Sequence, residues 1–158
     1  MQTKSIDTPL SEITLRRYEK PYNLSRRELV RKLCLSLGLL NPGDSRDVIV
    51  DVFYVLLEAK SENKMLSSEE IRANVIEVRK NEKLDDTGTA ASNIRRQIRR
   101  LRELLLAEKI ANDYRISEFL NLEEIFSEKI EKFMIASISQ RIKTYLKSVD
   151  AAFGEKNG

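Results

Sequence analysis

Arg95-Arg96-Gln97-Ile98-Arg99-Arg100-Leu101-Arg102 is the stretch on which the reading of this chain turns. At about 100° per residue, Ile94, Ile98, Leu101 and Leu105 fall on one narrow stripe of a helix. Arg95, Arg99 and Arg102 lie on the flank nearest that stripe, and Arg96 and Arg100 lie further round. From Thr89 to Lys109 there are six basic and two acidic residues, a local net charge of +4. The pattern predicts a helix over 89–107 that turns an apolar face to a core and a cationic face to a polyanion.

Working back from that helix, Ser67-Ser68-Glu69-Glu70 has the form of a capping box and starts a helix whose apolar stripe is Ile71, Val75 and Val78. The polar segment 81–88 separates the two helices. Before them, Val48 to Leu57 is apolar and rich in β-branched residues. Its length and lack of an internal breaker predict a buried helix to about Lys60, followed at Met65-Leu66 by a brief strand. A second capping-box pattern, Ser25-Arg26-Arg27-Glu28, starts a helix that should bury Leu29, Leu33 and Leu37 and stop at Asn41-Pro42-Gly43. Residues 1–24 contain Pro9 and Pro21 and carry Arg16, Arg17 and Lys20, so they read as a flexible basic arm.

Beyond the arginine helix, apolar-containing arms flank Asn112-Asp113 and predict a small β-hairpin. Residues 122–152 then form a long helix. Within it Ile135, Ile138, Ile142, Tyr145, Val149 and Ala152 keep a 3-4-3-4-3 spacing, the seam of a helix that packs on another helix. Upstream, Leu122, Phe126, Ile130 and Phe133 continue the face in a shifted register. At 1.5 Å per residue the helix is about 45 Å long. That exceeds what a small body covers, so a second copy is the economical partner, with packing back onto the first helix as the alternative. The chain thus divides into an arm (1–24), an extra N-terminal helix (25–43), a central domain (44–119), a dimerisation helix (120–153) and a tail (154–158).

Composition narrows the function. The 158 residues are 41% hydrophobic and 34% charged, with five glycines and three prolines, which favours a helical globular domain. The net charge of +3 is unevenly placed: +4 over residues 1–40, −4 over 41–88, +4 over 89–109 and −1 over 110–158. Histidine is absent and Cys34 is the single cysteine, so a Ser-His or Cys-His nucleophile is excluded and no zinc site is expected. No glycine-rich phosphate loop is present, and the acidic groups alternate with basic ones as on a solvated face. No cofactor, metal or enzymatic activity is therefore expected. No transmembrane run or signal-peptide core is seen, and the expected location is cytoplasmic.

The order helix, Met65-Leu66, helix, turn, arginine helix, hairpin resembles a winged helix-turn-helix domain over roughly residues 45–119. Leu101-Arg102-Glu103-Leu104-Leu105-Leu106 followed by Tyr114-Arg115-Ile116 is similar to the end of a recognition helix and a wing strand in that superfamily. Leu105 stands where a glycine often ends the recognition helix, which predicts that the helix runs longer here. The resemblance implies that the arginine helix enters the DNA major groove and that Arg115 is a wing contact.

The expected fold is thus mainly α: a winged helix-turn-helix body with a small hairpin, an N-terminal extra helix and a long C-terminal helix. The expected function is sequence-specific binding of double-stranded DNA as a homodimer, in transcriptional regulation. Arginine supplies a planar fork for phosphates and guanine edges. The expected contacts are Ser92, Arg95, Arg96, Arg99, Arg100, Arg102, Lys109 and Arg115. The expected dimer residues are Ile135, Ile138, Ile142, Tyr145 and Val149. Tyr114 should pack on the body. The alternative is a winged-helix interaction module whose arginines grip an acidic protein, or are simply paired with the carboxylates of the preceding helix.

Overall fold

The computed structural model describes residues 6–154. The fold is mainly helical, with one small three-stranded antiparallel sheet. Ser25 caps helix α1 (Arg26–Ser36), its hydroxyl accepting from the Glu28 amide at 3.2 Å. Helix α2 (Val48–Ser61) is buried on nearly every side, from Val48 to Ala59, and forms the centre of the core. Its β-branched residues are poor helix formers in isolation, but burial against three neighbouring helices outweighs propensity. Strand β1 (Leu66–Ser67) leads into α3 (Ser68–Asn81), which starts with a full capping box between Ser67 and Glu70. Helix α4 (Ala91–Glu103) is the arginine helix. Strands β2 (Ala107–Ile110) and β3 (Asp113–Ile116) form the hairpin, and β3 lies between β1 and β2 in the sheet. The register pairs Leu66 with Tyr114 and Ala107 with Ile116.

Helix α4 is shorter than its periodicity predicts, because Leu105 behaves as the missing glycine would. It takes φ +65°, the Leu106 amide returns to the Leu101 carbonyl and the Leu105 amide to that of Arg102. These two bonds define a Schellman end, with buried Leu106 and Leu101 making its hydrophobic contact. The same pair of bonds ends α1 at Gly38, α2 at Asn63 and α3 at Lys83. Leu105 is consequently exposed, and Leu104 is buried in its place beside Ile94, Ile98 and Leu101. The hairpin also shifts by one residue: its turn is Ala111-Asn112, with Ala111 at φ +55°.

A buried ionic cluster fastens the helices. Asp51, fully buried on α2, receives Arg27 from α1 through Nε (2.8 Å) and Nη2 (3.0 Å), and Arg79 from α3 through Nη1 (2.7 Å). Asp47 accepts from the same two arginines at 3.2 and 3.1 Å, so its carboxylate is not free to cap α2. Arg79 also donates to the Asp85 carbonyl at 2.6 Å, tying down the turn before α4. Burial disfavours the charge on both arginines, but the paired carboxylates more than offset it and hold both firmly protonated. The cluster also corrects the expected face of α1: Arg27, Cys34 and Leu35 point inward. Leu37 is buried, but Leu29 and Leu33 face a cleft of about 460 Å³ beneath residues 18–24.

The arm is laid along α1 as a strap. The Arg16 amide donates to Ser36, and its guanidinium donates to the carbonyls of Leu35 (2.8 Å) and Leu40 (3.1 Å). The Leu35 and Ser36 carbonyls lie in the last turn of α1, where helical partners run out, and Leu40 lies in the loop that follows. Thr14 crosses so close to Gly38 that a Cβ there would meet it at 2.6 Å, and φ +71° also favours glycine. Glu19 pairs with Lys32 at 2.6 Å, and Ile13 and Tyr18 pack on the core.

From Leu122 to Phe153 the chain is helical throughout: α5 (Leu122–Ile125), a π-helical stretch (Phe126–Ile135) and α6 (Ala136–Phe153). The π stretch explains the shifted register. Ile125 and Ile130 are buried and Ile135 packs on the same core, a spacing of five. Five residues on an α-helix turn about 140° past one revolution, whereas i→i+5 hydrogen bonding brings them near one face. Phe133, expected in the apolar face, is exposed. None of α6 is buried, so it does not fold back onto α1.

Candidate functional site

The exposed face of α4 separates the predicted basic residues into two groups. Among the described residues, Arg95, Arg96 and Arg99 are exposed and have no ion-pair or hydrogen-bond partner; Ser92 is exposed beside them. Ser92 is three and four residues from Arg95 and Arg96, and Arg99 is four and three from them, so the four side chains border one surface. Helix α3 does not neutralise it: Glu70 is used in the capping box, and Glu69 and Glu77 make no ion pair with α4.

The other group is already engaged. Arg100, expected to point outward, is half-buried; it donates to the Leu39 carbonyl at 2.6 Å and to Gln97 at 3.0 Å. Gln97 in turn donates to Asn93 (3.0 Å), and Asn93 to the Gly88 carbonyl (2.7 Å). This ladder fixes the turn before α4 to the loop after α1. Gly88 sits at φ +85°, with Val48 3.0 Å from where a Cβ would stand. Arg100 is thus a structural residue. Arg115, expected as a wing contact, lies against its own strand partner: its Nε donates to Glu108 at 2.7 Å and its guanidinium covers the Phe119 ring at 4.8 Å. Burial pushes the Glu108 carboxyl up, but the Glu118 amide and Arg115 together hold it below its ordinary value.

Arg102 and Lys109 occupy intermediate positions. Both are exposed and lie over the ring of buried Tyr114, at 6.0 and 5.7 Å. Cation–π contact of this kind holds the charges at the junction of α4 and the hairpin without neutralising them. Tyr114 packs on the body, as expected. Cys34 is fully buried, and burial pushes its thiol up to about 12, so it is an unreactive core residue.

The predicted seam residues also divide. Ile135 packs on the core and Ile138 is half-buried, which removes much of both from any outside contact. Ile142, Tyr145 and Val149 are exposed, and so are Leu146 and Phe153 alongside them.

The polar ladder of Asn93, Gln97 and Arg100 was missed by the charge pattern alone, although its spacing of four and three was visible in the sequence. Among the described residues no helix is long and apolar enough to cross a membrane, and no three His, Cys, Asp or Glu side chains gather as a metal site. No family model, curated protein or solved structure matches this chain.

Proposed function

We propose that this chain is a winged helix-turn-helix protein that binds double-stranded DNA as a homodimer, with α4 in the major groove. The observation that carries the reading is the trio Arg95, Arg96 and Arg99, exposed and unpaired on a helix whose opposite face is fully buried. Three exposed arginine charges without carboxylate partners among the described residues suit a surface that meets an anion. They lie in the N-terminal and middle part of α4, the part of a recognition helix that meets base edges. Lys109 and Arg102, at the hairpin junction, suit flanking phosphates. The sheet order supports the same reading, since pairing of β1 with β3 fastens the hairpin beside α3 and α4 as a wing.

A second copy, joined through α6, would present a second α4, and the two would read half-sites about 34–36 Å or a multiple apart. Gel shifts of the full chain against genomic fragments at two salt concentrations test this. The expected result is preferential retention of a few fragments, with affinity falling steeply as salt rises. Equal, weak retention of all fragments would reduce the reading to non-specific charge. Absence of any shift, with retention of an acidic protein instead, would favour the interaction-module alternative.

A further inference from the structure

The apolar ridge of α6 is wider than a helix pair needs. In heptad terms Ile142 and Val149 are a positions, Ile138, Tyr145 and Ala152 are d, and Leu146 and Phe153 are e. A two-helix seam uses a and d alone, and an added e row marks a face that meets a further element. Leu146 and Phe153 are both exposed.

The N-terminal residues run along the opposite edge of the same helix. Residues 6–11 and the α6 residues Ser137, Ile138, Arg141, Ile142 and Tyr145 enclose a cleft of about 490 Å³. Ser137 and Arg141 are c and g positions and Ile138, Ile142 and Tyr145 belong to the a/d seam, so this segment lies on the g side and reaches the edge of the seam. Ile6 is 78% and Leu10 93% exposed, and neither is satisfied by its own helix. In a parallel pair the g edge of one helix borders the e edge of the other, so the edge each copy covers with its own segment meets the edge its partner leaves open. Each copy's segment then lies beside the partner's uncovered e row.

We propose that two copies pair in parallel through α6 and that residues 6–11 of each clasp the other helix, burying Ile6 and Leu10 against Leu146 of the partner subunit. The clasp rests on the homodimer proposed above. It makes the N-terminal segment part of the assembly surface, with the Arg16 strap as its anchor to the body.

Sedimentation equilibrium of the full chain, the Ile6→Glu/Leu10→Glu variant and the Leu146→Glu variant tests it, with circular dichroism to check the fold. These positions are exposed in the monomer, so the fold should be unchanged. Each variant should weaken the dimer roughly tenfold or more, since apolar burial is replaced by a charge. Independently, Leu10→Cys/Leu146→Cys should give a covalent dimer on mild oxidation, with Cys34 inert in the core. A wild-type dimer that tolerates the variants and forms no cross-link between copies would overturn the clasp and leave the dimer standing. A wild-type chain that is monomeric at all concentrations would overturn both.

Discussion

Two groups of arginines sit at different places in this molecule with opposite chemistry. Arg27 and Arg79 are buried, converge on Asp51 and Asp47, and hold α1, α2 and α3 together. Arg95, Arg96 and Arg99 are exposed on α4, and no carboxylate among the described residues meets them. Arginine is suited to both tasks, since its planar fork satisfies two carboxylate oxygens in a core and two acceptors on a nucleic acid. The chain's net charge cannot distinguish these tasks; the presence or absence of a partner does. Arg100 makes the point within one helix: one residue from Arg99, it belongs structurally to the first group.

That contrast predicts a graded series of effects. The largest belongs to Asp51→Asn, which leaves two buried guanidinium groups short of charge and should lower stability by about 3–5 kcal/mol in urea unfolding. A loss under 1 kcal/mol would mean that Asp47 alone satisfies both arginines. Arg100→Ala comes next, because it strips the Leu39 carbonyl and Gln97 of their donor. A loss of about 1–3 kcal/mol is expected by thermal or urea unfolding, with DNA affinity of the remaining folded protein nearly unchanged. A selective loss of binding at full stability would move Arg100 into the exposed group.

Smaller again is the contribution of Glu108, whose folded carboxyl is held below its ordinary value near 4.5. A lowered folded-state value stabilises the protein above the ordinary value, and that stabilisation is lost as pH falls through the folded one. Wild type should therefore exceed Glu108→Gln in urea unfolding at pH 6, and the gap should shrink as pH falls below about 4.5. A gap that stays constant with pH would assign the effect to packing. The smallest stability effect belongs to Arg96→Ala, within about 0.5 kcal/mol of wild type, because its side chain has no partner to lose. Its signature is instead in binding, read from the salt dependence of DNA affinity. A phosphate contact would flatten the slope of log K against log salt by about one, and a base contact would cost about 1–3 kcal/mol on the preferred site only.

Much of the architecture was legible because it follows from local rules. Ser25 and Ser67 marked helix starts, Leu66 marked a strand, and the stripe of Ile94, Ile98 and Leu101 marked the buried face of α4. What escaped was non-local or against propensity. Asp51 lies inside an apolar run, and its arginine partners are 24 and 28 residues away, so spacing carries no sign of the cluster. Leu105 adopts φ +65° without being glycine, held there by the buried contact of Leu106 with Leu101. The i→i+5 stretch makes a five-residue spacing into a face that α-helical periodicity cannot show. At the candidate site, charge pattern located the helix and the segment. It could not separate the free arginines from Arg100 and Arg115, whose partners are set by the fold.

The most direct test replaces the unpaired group as a whole. Arg95→Ala/Arg96→Ala/Arg99→Ala should fold like wild type, lose its preference among DNA duplexes, and show a markedly flatter salt dependence in fluorescence anisotropy at two salt concentrations. A folded triple variant that binds the same duplex with unchanged affinity and unchanged salt slope would contradict the assignment of α4 as the DNA-reading helix.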